Sequence, residues 1–308
     1  MPRLLVISQH AQRFKALLEA AGLPQLEAQF CLDAETAKPW CAEAEILFGA
    51  PDRLASVLPL CPRLHWLQSS WAGVKPLLDQ GRRDYQLTGV KGIFGPLMSE
   101  YVLGWLLALE RNIPERYSAR QWDDRSDGSL RGKRVGIMGT GSIGQHVAHS
   151  CRHFGMSTRG LNSNGRPVDG FDDCLAQAQR LQFAQDLDYL VALLPETAAT
   201  DQLIEAKLLS RLRPGAILVN GGRANCIEQS ALLDALSSGQ LRHAVLDVLP
   251  QEPLPANDPL WQVANLSITS HTAAPTGTEA IAEIFCDNYR RYLDGAALQH
   301  LVDFERGY

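Results

Sequence analysis

The sequence predicts an α/β fold of two lobes, one of them built on a doubly wound parallel sheet. Three observations carry this. Short apolar runs alternate with helical patterns almost throughout, the mark of βα units stacked around parallel strands. A glycine-rich turn, "GTGSIG", sits between one such strand and one such helix near mid-chain. The chain has 308 residues, 45% hydrophobic and 20% charged, enough to bury the cores of about two domains.

Taken in order, the first hundred residues offer strands at Leu4 to Ser8, Ile46 to Phe48, Leu64 to Gln68 and Tyr85 to Thr88. Helical stretches such as Arg13 to Ala21 separate them, giving one small α/β domain. "SEYVLGWLLALER" then reads as an apolar helix from Ser99 to Arg111 with serine as its cap, and the polar stretch Gln121 to Gly132 resets the chain. From Lys133 a second α/β unit has candidate strands Arg134 to Met138, Thr158 to Leu161, Tyr189 to Leu194, Ala216 to Val219, Ala244 to Val248 and Leu266 to Thr269. Six strands suffice for a doubly wound sheet. The helix Thr276 to Leu293 follows Pro275 and is expected to return to the first domain. The expected division is therefore 1–100 with 275–308 for one lobe and 101–274 for the other.

A formal net charge of −5 and the lack of any Lys/Arg run argue against a nucleic-acid partner. Seven scattered cysteines, without a C-x-x-C pair, point to neither a zinc ribbon nor a disulfide framework, and fit reduced thiols in a cytoplasm. No apolar stretch approaches the ~20 residues that span a bilayer, and the start "MPRLLVISQH" reads as a first strand rather than a signal sequence. The histidines other than His271 show no spacing that demands a metal; His149 and His153 read as helix surface.

In "RVGIMGTGSIGQHVA" the glycines 139, 141 and 144 fall in G-x-G-x-x-G order between strand and helix. Gly139 suits the tight turn, Gly141 close approach of a pyrophosphate, and Gly144 close packing of helix on strand. The helix start, with the N–H groups of Ser142, Ile143 and Gly144, then faces the phosphates. This is the dinucleotide-binding turn of a Rossmann-type sheet. About twenty residues on, an NAD site places an acid against the adenosine ribose. Here the chain reads "LNSNGRP": Asn162 holds the acidic position, with Ser163, Asn164 and Arg166 beside it. Neutral donors and a guanidinium favour a 2′-phosphate, so NADP(H) is the expected cofactor, with NAD(H) still possible.

Three later strands end in polar residues. "LVNGGRAN" puts Arg223 beyond a buried strand after Gly221 and Gly222, which are expected to permit close cofactor approach. "LDVLPQEPLP" supplies Asp247 and Glu252, and "ITSHTAAP" supplies His271. Ligands of open α/β sheets gather at strand carboxyl ends, so these residues are expected to face one crevice. An arginine fork suits the carboxylate and carbonyl oxygens of a 2-oxo acid, and an imidazole suits proton transfer near neutrality. An ionised Glu252 beside His271 would favour the protonated ring. In isolation each of these residues reads as a surface charge or a core histidine; together they read as a site. In the first lobe, "QSSWAGVKPL" follows a strand with small residues and a helix start, so Ala72, Gly73 and Val74 offer backbone N–H groups to a carboxylate. Trp71 beside them reads equally well as a pocket wall or as core.

Over nearly its whole length the chain resembles the D-isomer-specific 2-hydroxyacid dehydrogenases. The likeness rests on "GTGSIG", "LLPETAAT", "NGGRAN", "LDVLPQEPLP" and "PLWQVANLSITSH", in the order Arg, Glu, His. "HTAAPT", "VDFERGY" and the missing acid after the second strand look most like the glyoxylate/hydroxypyruvate reductase A subgroup. The resemblance implies a flavodoxin-like substrate domain and hydride transfer between a nicotinamide and a small 2-oxo or 2-hydroxy acid. Arg223, Glu252 and His271 would match the catalytic residues. Leu194, Pro195, Thr200, Gly221, Gly222, Asp247 and Ala273 would line the cofactor, with Asp247 accepting from the carboxamide. Ala72, Gly73 and Val74 would match the substrate loop. It also implies a homodimer through the cofactor domain, with the segment from Trp105 to Trp122 contributing. Two other readings keep the fold: a formate- or phosphite-type dehydrogenase, and a non-catalytic NAD(P)-sensing scaffold like the related corepressors.

Overall fold

Two parallel sheets organise the protein, each in its own unit. The structure, a computed structural model, describes residues 1–307. One unit is Met1–Ile93 together with the chain from Thr276 onward; the other is Phe94–Pro275.

The first unit holds β1 (Arg3–Ile7), β2 (Glu27–Cys31), β3 (Ile46–Gly49), β4 (Trp66–Ser69) and β5 (Gln86–Thr88). They run in the order β2-β1-β3-β4-β5, all parallel. This is the flavodoxin-like order. Strands β3 and β4 are buried along their whole length, as a parallel sheet covered on both faces requires. Helices Ala11–Ala20 and Thr278–Leu293 cover one face, where Phe285 stacks between Phe48 (centroids 4.8 Å apart) and Trp66 (5.1 Å). Leu54, Val57 and Leu77 pack on the other. The open edge of β5 is covered by the returning chain, with Val302 N donating to Leu87 O at 2.9 Å.

The second unit holds β6 (Arg134–Met138), β7 (Ser157–Asn162), β8 (Asp173–Ala176), β9 (Tyr189–Ala192), β10 (Ala216–Asn220), β11 (Leu241–Leu246) and β12 (Leu266–Ile268). Read from one edge they lie β8-β7-β6-β9-β10-β11-β12, again all parallel. That is the doubly wound Rossmann order with a seventh strand appended, and the order reverses between β6 and β9.

Two strands exceed the sequence reading, β2 and β8, so the larger sheet has seven strands rather than six. Both are edge strands. The apolar helix runs Gly95–Glu110 and so starts before Ser99, with Pro96 in its first turn as the true start signal. Ser99 is not a cap: its hydroxyl donates to Gly95 O at 2.9 Å and contacts His146 Nδ1 at 2.7 Å. Because that helix lies wholly in the second unit, the first crossing falls between Ile93 and Phe94 rather than at 100. The last helix begins at Thr278, two residues later than expected. Among the described residues no helix is long and apolar enough to cross a membrane.

Candidate active site

At the reversal point, β6 ends in the glycine turn. Gly139 has φ +103°, and a Cβ there would sit 2.6 Å from Leu193 O; at Gly144 it would sit 2.0 Å from Gly139 O. Both glycines are thus demanded by the protein itself. Gly141 differs: a Cβ would meet nothing within 4 Å, so its hydrogen leaves open space over the start of helix Ser142–His153. The first intrahelical bond is Gln145 N to Gly141 O at 2.9 Å, which leaves the N–H groups of Ser142, Ile143 and Gly144 without helical acceptors. Residues that hold a pyrophosphate have this form.

The loop after β7 is organised by Asn162. Its Oδ1 accepts from Gly165 N at 2.6 Å and Asn164 N at 3.3 Å, while its Nδ2 donates to Arg166 O at 2.9 Å and Thr140 Oγ1 at 3.2 Å. A carboxylate, which has no proton to donate, could not make the bond to Arg166 O. Asn162 therefore ties this loop to the glycine turn. Ser163, Asn164 and Arg166 are exposed, and among the described residues the Ser163 hydroxyl and the Arg166 guanidinium have no protein partner. The loop offers donors and a cation, as a phosphorylated ribose requires.

After β9, the buried Thr200 hydroxyl donates to Pro195 O at 2.7 Å and accepts from Thr197 N at 3.0 Å, closing the loop that carries Leu194 and Pro195. After β10, Gly222 is explained by packing on protein backbone, whereas Gly221 faces the flexible thioether of Met98. A Cβ on Gly221 would lie 2.7 Å from Met98 Sδ, and one on Gly222 would lie 2.7 Å from Leu194 N. The fully buried Asn220 shapes the same loop, accepting from Gly222 N at 3.0 Å and donating to Arg223 O at 3.1 Å. Arg223 follows in extended conformation, partly buried, donating to Gly222 O at 2.7 Å. Among the described residues no carboxylate pairs with it. It keeps most of its fork for a ligand.

Strands β10, β11 and β12 are neighbours, so Arg223, the Asp247–Glu252 loop and His271 leave the same end of the sheet side by side. His271 Nδ1 lies 2.8 Å from Glu252 Oε2, and Leu249 N holds the other carboxylate oxygen at 2.9 Å. Since an ionised carboxylate only accepts, Nδ1 carries the donated proton, and among the described residues Nε2 has no protein partner. The imidazole is about half exposed, with 52% of its surface accessible, so it is no core histidine.

The backbone that presents it is unusual. Ser270 and His271 both adopt left-handed φ values, +56° and +59°. Each costs on the order of 1–3 kcal/mol and persists only where the surroundings fix it. Asp247 does so: its carbonyl accepts from His271 N (2.6 Å), Oδ1 from Thr272 N (2.8 Å), and Oδ2 from Ala273 N (3.0 Å). Thr269 Oγ1 adds a bond to Oδ1 at 2.6 Å, and Tyr101 OH reaches Thr269 Oγ1 at 2.7 Å. Burial, first of all, pushes the Tyr101 phenol above its ordinary range. The sequence reading missed Thr269 and Tyr101. The threonines flanking His271 were a signal; Tyr101, 168 residues away, gave none.

In the first unit, the loop after β4 begins with Ser69, whose hydroxyl accepts from Trp71 N at 3.0 Å and donates to Trp71 O at 2.8 Å. Among the described residues, the N–H groups of Ala72, Gly73 and Val74 have no acceptor. Trp71 is 42% exposed and is not core. No group of three His, Cys, Asp or Glu among the described residues is placed to hold a metal.

The family model described as D-isomer specific 2-hydroxyacid dehydrogenase, NAD binding domain, matches residues 103–273, more than half of the chain. The chain belongs to this family. The match takes in the glycine turn, Arg223, Glu252 and His271, so the second unit is the nucleotide-binding domain of a 2-hydroxyacid dehydrogenase and the protein is an NAD(P)-dependent oxidoreductase. Glyoxylate/hydroxypyruvate reductase A of Serratia proteamaculans is 31% identical over 258 residues, covering 80% of this chain and 82% of that protein. A D-isomer specific 2-hydroxyacid dehydrogenase family protein from Aeromonas salmonicida superposes with TM-score 0.92 at 44% identity, over 98% of this chain and 99% of its own. A structure of the NADPH-dependent glyoxylate/hydroxypyruvate reductase from Sinorhizobium meliloti, in complex with NADP and sulfate, gives TM-score 0.88 at 26% identity, with both chains fully covered.

Proposed function

We propose that this dehydrogenase reduces small 2-oxo acids of the glyoxylate and hydroxypyruvate type to D-2-hydroxy acids, with NADPH as its preferred reductant. The observation that carries the reading is the Glu252–His271 hydrogen bond at 2.8 Å, next along the sheet to an arginine with no carboxylate partner among the described residues. Bound NADPH would supply the hydride for C2 of the substrate. Reduction builds negative charge on the carbonyl oxygen. Arg223 meets that charge and the neighbouring carboxylate with its fork, and His271 Nε2 delivers the proton. Glu252 holds Nδ1 and stabilises the imidazolium before that transfer. The N–H groups of Ala72 and Gly73, without an acceptor among the described residues, would offer a seat for a carboxylate; that of Val74 is likewise without one, but the residue is buried.

The cofactor preference is supported by the Ser163 and Arg166 side chains beyond β7, which have no protein partner among the described residues, and by the relative from Sinorhizobium meliloti described as NADPH-dependent. The test follows NADPH absorbance while glyoxylate, hydroxypyruvate and pyruvate are offered in turn, then repeats the best substrate with NADH. The expected kcat/KM is higher with NADPH, and Arg166→Ala should reduce that preference about tenfold by removing a charge-assisted contact. No oxidation with any of these oxo acids would sink the activity; a preference for NADH would sink the cofactor assignment.

A further inference from the structure

We propose that Tyr101 and Thr269 are positioning residues for His271, acting through Asp247 on the turn that presents the imidazole. The proposal rests on the reading of His271 as proton donor. Its basis is the direction of each hydrogen bond. Asp247 Oδ1 only accepts, so the single proton of Thr269 Oγ1 points to it across 2.6 Å. The Thr269 oxygen is then an acceptor toward Tyr101, and the Tyr101 hydroxyl, 2.7 Å away, must be the donor. The order is fixed: the phenol donates to the threonine and the threonine to the carboxylate, and the amides of Thr272 and Ala273 donate to that same carboxylate.

The arrangement is specific to the turn it holds. Three successive N–H groups, those of His271, Thr272 and Ala273, converge on Asp247, which is only 3% exposed. Thr272 Oγ1 closes the turn by donating to Thr269 O at 2.6 Å. Within it lie two adjacent left-handed residues, Ser270 and His271, a conformation that needs fixed partners on all sides. Glu252 fixes the ring; Asp247 fixes the backbone beneath it. Tyr101 lies on helix Gly95–Glu110 and anchors Thr269 to an element that plays no part in the chemistry. If Thr269 loses its hydroxyl, Asp247 loses a donor, Tyr101 loses its acceptor, and the turn is held less firmly.

The full-length enzyme would be compared with Thr269→Val, nearly identical in volume, Thr269→Ser, which keeps the hydroxyl, and Tyr101→Phe. Thr269→Val is expected to lower kcat about tenfold, because small displacements of a reacting group are costly, while the NADPH Kd from fluorescence stays within about twofold. Thr269→Ser should recover most of the loss. Tyr101→Phe should lower kcat less than Thr269→Val and add nothing in the Thr269→Val background, since the two act in series. Amide hydrogen exchange at Thr272 and Ala273 should quicken in Thr269→Val without any substrate present. A Thr269→Val enzyme with wild-type kcat, no recovery by serine, an additive effect of Tyr101→Phe or unchanged exchange would each overturn the proposal. An inert wild-type enzyme would instead defeat the functional reading, and the exchange result would still judge the turn.

Discussion

The loop after β4 and the loop after β12 both leave the carboxyl end of a parallel strand, yet they treat their backbone amides in opposite ways. In the first, Ser69 secures Trp71, and the next three N–H groups, on Ala72, Gly73 and Val74, have no acceptor among the described residues. In the second, all three N–H groups from His271 to Ala273 are taken by Asp247. The side chains follow the same division. Alanine and glycine leave the first backbone accessible, whereas the second uses its backbone to fix a histidine. One loop leaves main-chain donors without a protein acceptor among the described residues, the other spends them to present a side chain.

The largest effect should come from emptying the second loop of that side chain. His271→Ala removes the proposed proton donor but none of the bonds to Asp247, which all involve backbone or other residues. We expect kcat for glyoxylate reduction to fall about 10²- to 10⁴-fold, the usual worth of a general acid, with NADPH affinity within about twofold of wild type. Steady-state turnover and fluorescence titration measure the two quantities. Unimpaired turnover would mean that the held turn serves the fold and not the chemistry.

Much of this was visible in the sequence because central strands of a parallel sheet are buried on both faces and read as continuous apolar runs. β6, β9 and β10 are of this kind. The two strands absent from the sequence expectation, Glu27–Cys31 and Asp173–Ala176, are short edge strands that each open on an acidic residue and hold no β-branched residue. Half-covered strands need no apolar run, so they leave no such signal. The site shows the same limit. Residues set by local geometry, such as Gly139 and His271, announce themselves by spacing. Residues defined by a long-range partner do not: Tyr101 meets Thr269, and Gly221 faces Met98, only through the fold.

A smaller effect should follow from blocking one amide of the first loop. Ala72→Pro removes an N–H that has no acceptor among the described residues, and its thermal midpoint, measured first, shows whether the loop accepts the proline ring. If that N–H holds the substrate carboxylate, KM for glyoxylate should rise about tenfold, the worth of one hydrogen bond to a charged group, while kcat at saturation changes little. A rise confined to KM would contrast with the loss confined to kcat in His271→Ala. Unchanged KM in a folded Ala72→Pro enzyme would remove this loop from the substrate site.

The smallest effect concerns what stands behind the first loop. Its immediate support is neutral: Gln68 Nε2 donates to Ser69 O at 2.8 Å, and Asn288 Nδ2 donates to Gln68 Oε1 at 3.3 Å. Acid should therefore reach this unit through charged contacts on the same helix as Asn288, and Glu279 in its first turn is the clearest. The Arg13 guanidinium, then the helix amide and Thr278, hold the Glu279 carboxyl down at about 2. With the folded value below the unfolded one, near 4.3, its stabilisation is present above the unfolded value and is lost as pH falls from there toward 2. The pair is exposed, so the effect should be slight and should shrink further with salt. Denaturant midpoints for wild type and Arg13→Met should thus differ slightly at pH 7 and converge as pH drops below about 4, where protonation of Glu279 erases what the arginine contributed. A gap that widened with acid would mean that Arg13 acts through some other group. At neutral pH the same variant should leave KM for glyoxylate unchanged, because the loop's own supports, Ser69 and Gln68, carry no charge to lose.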